Sequence, residues 1–144
     1  MNIKRVLAAG VVAWAVSLPV GYFVNDVLFA GLVSANSGVL RPTADLNAKL
    51  PIGFVFLLLA YLTFAYAYAK GYEGGKGVIE GVRFGIITAV MVTGFGLVWQ
   101  YVMFPITGTL SAAIILDFFV EMSIYGAIVG AIYKPLATAR TVAL

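Results

Sequence analysis

Four apolar runs, Val6–Val33, Ile52–Ala69, Phe84–Phe104 and Leu110–Tyr133, decide what this chain can become. Each is about 18 residues or longer, and at roughly 1.5 Å of rise per helical residue each reaches across a hydrocarbon core about 30 Å thick. Backbone polar groups inside hydrocarbon must be satisfied within their own segment, so such runs fold as helices. The composition agrees. Of the 144 residues 62% are hydrophobic and 10% charged, more apolar surface than a water-soluble fold of this length can hide. The expected fold is all-α: a single polytopic membrane domain over residues 1–144, with spans at about 6–33, 52–69, 78–104 and 110–133.

Cations set the expected orientation. Lys4 and Arg5 precede the first run, Lys70, Lys76 and Arg83 surround the second loop, and Lys134 and Arg140 follow the fourth run, whereas only Arg41 and Lys49 fall on the other side. Both termini and the middle loop are therefore expected in the cytoplasm. The basic balance reads as span flanks touching lipid headgroups, not as a nucleic-acid surface. Val33-Ser34-Ala35 faintly resembles a signal cleavage site, but the preceding apolar run exceeds a signal core of about 7–15 residues, so the first span reads as a permanent anchor. With no cysteine in the chain, disulfides, thiolate metal sites and a cysteine nucleophile are excluded.

The chain also repeats itself. Gly21–Ala30 (GYFVNDVLFA) aligns with Gly96–Pro105 (GLVWQYVMFP), Asn25 over Gln100, and Gly10 falls over Gly85 at the same offset. Tyr61 and Lys70 have the spacing of Tyr125 and Lys134. The expected architecture is two tandem, parallel helical hairpins related by an axis along the membrane normal, unlike the inverted repeats common in transporters. The first outer loop holds RPTADLNAKL, in which Thr43 reads as an N-cap and Leu46 and Leu50 share a side. A short amphipathic surface helix is expected there. Pro105–Thr109 is an uncharged tight turn.

The residues with the most chemical content lie inside the spans. Asp117, Glu121 and Tyr125 recur every four residues and share one helix face. Acids in hydrocarbon require protein or water against them. With Asn25, Asp26 and Gln100 they form the expected intramembrane polar cluster, and Arg83 is the expected counter-ion of Glu121. Gly77, Gly81 and Gly85 on the third span, and Gly126 and Gly130 on the fourth, recur at helical spacing as stripes for close backbone approach. The glycines around Lys76 lack the Gly-Lys-Ser/Thr order of a phosphate loop. Gly126 lies about 140° around the helix from Glu121. Two faces of the last helix thus ask for a neighbour, which points to a partner outside the chain.

Tyr22, Phe23, Trp99, Tyr101 and Phe104 form an expected interfacial belt. No cofactor is identifiable. The chain has no histidine, and contact with a lipid, carotenoid or quinone is left open. Tyr68–Gly85 (YAKGYEGGKGVIEGVRFG), the Pro105-Ile106 turn, Glu121 and the closing Ile132–Pro135 (IYKP) resemble a group of small four-helix bacterial inner-membrane proteins to which no activity is assigned. The resemblance implies placement in a bacterial inner membrane and nothing about mechanism. No metal cluster, Ser-His pairing or hydrolase elbow is present, so no enzyme is expected. The expected function is that of a non-catalytic accessory or stabilising subunit packed against other membrane subunits or a second copy. The alternative is a small oligomeric proton- or cation-coupled transporter or channel using Asp26, Asp117 and Glu121.

Overall fold

The computed structural model describes residues 1–133. Lys134 and Arg140, part of the charge argument above, and Lys134-Pro135 of the closing IYKP lie outside the described residues. Among the described residues every regular element is helical: α1 (Ile3–Tyr22), a π-helical segment (Phe23–Leu28), α2 (Ala30–Ala35), α3 (Thr43–Lys70), α4 (Gly77–Val92), a second π-helical segment (Thr93–Leu97), α5 (Val98–Met103) and α6 (Gly108–Ile132). Four continuous helical stretches are long and apolar enough to cross a membrane: Ile3–Leu28, Thr43–Lys70, Gly77–Met103 and Gly108–Ile132.

Several boundaries differ from the sequence expectation. The first stretch ends at Leu28 and not near Val33, because the chain breaks at Phe29 and restarts as α2. Polar anchoring explains the break. Buried Asn36, just past α2, holds that helix end against Thr107 at the start of α6. The expected surface helix is not a separate element: Thr43–Leu50 forms the first two turns of α3 and continues through Pro51 into the apolar run. Nor is Thr43 the N-cap, since Pro42 takes that position without a side-chain cap. Pro42 has the extended backbone from which a helix can start, so Thr43 is already helical.

The π segments are wide turns. In the first, the Phe29 N–H reaches back five residues to the Val24 carbonyl, 2.8 Å away. Pro19, lacking an N–H, lies one turn before that segment, and Gly94 and Gly96 lie within the second. Each weakens the regular ladder where the extra residue is accommodated.

Packing is uneven along the bundle. α4 lies along α6, α1 packs on both α3 and α6, and α3 touches α6 through a few large side chains. The α4 to α6 register is antiparallel: Gly77 faces Gly130, Gly81 faces Gly126, and Gly85 faces Met122. Buried Val6, Ala9, Ala13, Tyr61, Phe64, Ala65, Tyr68, Ala89, Met122, Tyr125, Val129 and Tyr133 form one core. All belong to the half of the bundle nearer the Gly71–Lys76 loop, called here the loop end. Toward the other end, the Asn36 end, α3 buries none of its residues between Thr43 and Ala60.

Candidate functional site

The two glycine stripes meet each other. A Cβ placed on Gly77, Gly81 or Gly85 would overlap the backbone carbonyl of Gly130, Gly126 or Met122, and one on Gly126 or Gly130 would overlap Gly81 or Gly77. Of the two faces of α6 that suggested an external neighbour, the glycine face is therefore covered within this chain, while Asp117 and Glu121 on the other stay half-buried. α1 contributes a third stripe of small residues, Ala9, Gly10, Ala13 and Ser17, all buried. A Cβ at Gly10 would come within 2.9 Å of the Leu62 Cα on α3. Of this stripe only Gly10 stood out in the sequence, because alanines recurring by four are common in any apolar helix.

The polar residues divide into two groups. Asn25, Asp26 and Gln100 are exposed. Asn25 is satisfied locally, its Nδ2 donating to the Gly21 carbonyl at 2.8 Å. No side-chain hydrogen bond or ion pair among the described residues joins Asn25, Asp26, Gln100 or Asp117 to one another. The expected single cluster is thus not assembled as a bonded unit. Asp26 sits in the first π segment and Gln100 in α5, both within about a turn of where their spans end.

Glu121 and Tyr125 belong to the second group. Tyr125 is fully buried, and its ring stands edge-on to Tyr61 of α3 with centroids 5.1 Å apart. Its hydroxyl lies near Glu121 and Tyr61, and Ser17 of α1 lies near the Tyr61 hydroxyl. α1, α3 and α6 therefore converge on Ser17, Tyr61, Glu121 and Tyr125. The Tyr125 hydroxyl nonetheless meets no partner at hydrogen-bonding geometry, as is also true of the Trp14 indole N–H and the Thr93 hydroxyl. Ser17 donates to the Trp14 carbonyl at 2.7 Å. Glu121 and Asp117 remain half-buried. Chemically this is an acid beside phenols within an apolar core, with neither an activated nucleophile nor a second acid in contact.

Arg83 does not pair with Glu121. Ion pairs among the described residues join Asp45 to Arg41, at 2.7 Å, and to Lys49. The reason is rotational. Arg83 is two residues beyond Gly81, hence about 200° around α4 from the stripe that faces α6, and its side chain is exposed. Glu80 has another role as well: its carboxylate accepts the backbone N–H of Glu73 at 2.6 Å and of Gly75 at 3.0 Å, holding the Gly71–Lys76 loop. Between them Gly74 has a φ of +87°, a left-handed conformation suited to glycine. Tyr68 closes this end by donating to the Gly77 carbonyl at 3.0 Å.

The Asn36 joint was not visible in the sequence. Asn36 Nδ2 donates to the Leu32 carbonyl at 2.8 Å and to the Thr107 hydroxyl at 3.2 Å, and Asn36 Oδ1 accepts the Thr107 N–H at 2.9 Å. Thr107 in turn caps α6 by accepting the Leu110 N–H. The partners are 71 residues apart, and neither has a local pattern that names the other. Comparison with protein-family models, curated proteins and solved structures finds no match.

Proposed function

We propose that this chain is a non-catalytic integral membrane protein that stabilises a larger membrane assembly, with the loop end in the cytoplasm and a bacterial inner membrane as its setting. One observation carries the reading. α3 is a core helix from Tyr61 to Tyr68, but along Thr43–Ala60 none of its residues is buried, and only Asp45, Leu57 and Leu58 are even half-covered. Val55 and Phe56 are 59% and 66% exposed. A helix held at one end only, with polar Asp26 and Gln100 also uncovered toward the same end, suits a neighbour seated there.

Two tandem parallel hairpins remain the proposed architecture. In its support, the Tyr61 ring stands edge-on to that of Tyr125, its counterpart in the repeat. Equivalent residues touch only near an axis relating the copies. The first and third spans also end at equivalent positions, Leu28 and Met103, each with a π segment before or at its end.

A proton or cation path receives less support. Between Glu121 and the loop end lie Ala65, Tyr68, Val129 and Ala9, buried in one core, where the Tyr68 hydroxyl is already donated to the Gly77 carbonyl. The test is photo-crosslinking in native membranes from a benzophenone residue at Val55 or Phe56, with buried Val129 as the control. Adducts with another polypeptide or a second copy from positions 55 and 56 only are expected. Adducts with lipid alone, together with a lone monomer after mild-detergent extraction, would overturn the proposal.

A further inference from the structure

The surface beside Arg83 is grooved. Two adjoining cavities of about 350 and 80 Å³ share Glu73, Glu80 and Arg83 in their walls. Gly75, Lys76 and Ile79 complete the larger one, and the smaller continues along α4 past Phe84 to Ile87. The groove thus leads from a polar loop onto apolar helix surface. Arg83 lies six residues into α4, roughly 9 Å along the axis from Gly77. That is a depth at which a long cationic side chain rises to meet lipid phosphates.

Charge selects the occupant. The Glu80 carboxylate is engaged by two backbone N–H groups. Glu73, Lys76 and Arg83 are left, all exposed and none ion-paired among the described residues. Two cations and two carboxylates, one of the latter already holding the loop, surround a single groove, a balanced set that matches a zwitterion. We propose that the groove binds a phosphoethanolamine lipid from the leaflet at the loop end, with the phosphate on Arg83 and Lys76 and the ammonium on the Glu73 carboxylate. Phe84 and Ile87 receive the start of an acyl chain. Guanidinium groups bind phosphate oxygens bidentately. A choline headgroup has no N–H to donate to Glu73, and a phosphoglycerol headgroup has no ammonium to set on that carboxylate. The site is independent of whatever covers α3.

The test uses the full-length, delipidated protein in detergent, titrated with dioleoyl phosphatidylethanolamine, phosphatidylcholine and phosphatidylglycerol and read by native mass spectrometry. The ethanolamine lipid is expected to be retained several-fold above the other two. Arg83→Gln is expected to lower its retention about tenfold, the size of one lost charge-assisted contact. Glu73→Gln is expected to abolish its advantage over phosphatidylglycerol. Both side chains are exposed, so thermal melts should match wild type, and Lys76→Gln repeats the phosphate test outside the helix. Equal retention of the three lipids, a preference for phosphatidylglycerol, or unchanged binding in Arg83→Gln would each overturn the assignment.

Discussion

A single methyl group is enough to force α4 and α6 apart. At Gly81 an added Cβ would run into the Gly126 carbonyl, which belongs to backbone and cannot swing aside. Gly81→Val is therefore expected to cost about 1–3 kcal/mol, the usual range for overpacking. At Gly21 a Cβ meets nothing within 4 Å, so Gly21→Ala should be neutral or stabilising by about 0.5–1 kcal/mol through backbone entropy. Thermal melting in detergent followed by circular dichroism separates the two, and equal melts would show that the glycine contact does not limit packing. The tyrosines give a second contrast. Tyr125→Phe removes a buried hydroxyl that has no partner, and should leave stability unchanged or raise it by about 1 kcal/mol. Tyr68→Phe removes the donor to the Gly77 carbonyl, and should lower stability by about 1 kcal/mol. The reverse order in the same melts would mean that the Tyr125 hydroxyl contributes a contact and the Tyr68 hydroxyl does not.

Elements were legible in the sequence wherever one helical period carried the signal. The four apolar runs and the glycine stripes on α4 and α6 are periodic patterns, and periodicity says that a face will be covered. It does not say by what. For that reason the glycine face of α6, like its acid face, reads as a demand on an outside partner, although the glycines of α4 are its neighbour. Arg83 was misjudged for a related reason: its depth along α4 suits Glu121, but its side chain leaves from the far face. The Asn36 joint had no local signal at all, since its meaning lies in a contact with Thr107, 71 residues further along the chain. That joint fixes where α2 meets α6. Asn36→Ala is expected to cost about 1–3 kcal/mol, because it removes the hydrogen bonds that tie buried Asn36 to the Thr107 N–H and hydroxyl and to the Leu32 carbonyl. Thr107→Val should cost a comparable amount, and the double variant less than the sum, as for two sides of one contact. Strict additivity in a double-mutant cycle would show that the two residues act separately. Along α3, amides of Thr43–Leu50 should exchange with deuterium faster than those of Tyr61–Lys70, because only the latter stretch packs into a core. Equal protection in the isolated protein would mean that the first turns of α3 are held by contacts within this chain.

At the scale of the whole molecule, orientation governs every functional reading, because the groove beside Arg83 and the uncovered length of α3 lie toward opposite ends. Lys4, Arg5, Lys70, Lys76 and Arg83 all belong to the loop end, against Arg41 and Lys49 at the other. Arg41 and Lys49 both pair with the single Asp45 carboxylate. The balance favours a cytoplasmic loop end. The absence of native cysteine makes this directly measurable with single-cysteine variants. Gly38 and Gly71 suit the purpose: both are exposed, a Cβ at Gly38 meets nothing within 4 Å, and one at Gly71 is in ordinary contact with the Ala67 carbonyl at 3.7 Å. In intact spheroplasts a membrane-impermeant maleimide is expected to label Gly38→Cys, and to label Gly71→Cys only after lysis. Labelling of Gly71→Cys alone before lysis would invert the molecule, moving the lipid groove to the outer leaflet and the open face of α3 toward the cytoplasm. Labelling of both before lysis would mean that these helices do not separate the two loops by a membrane at all.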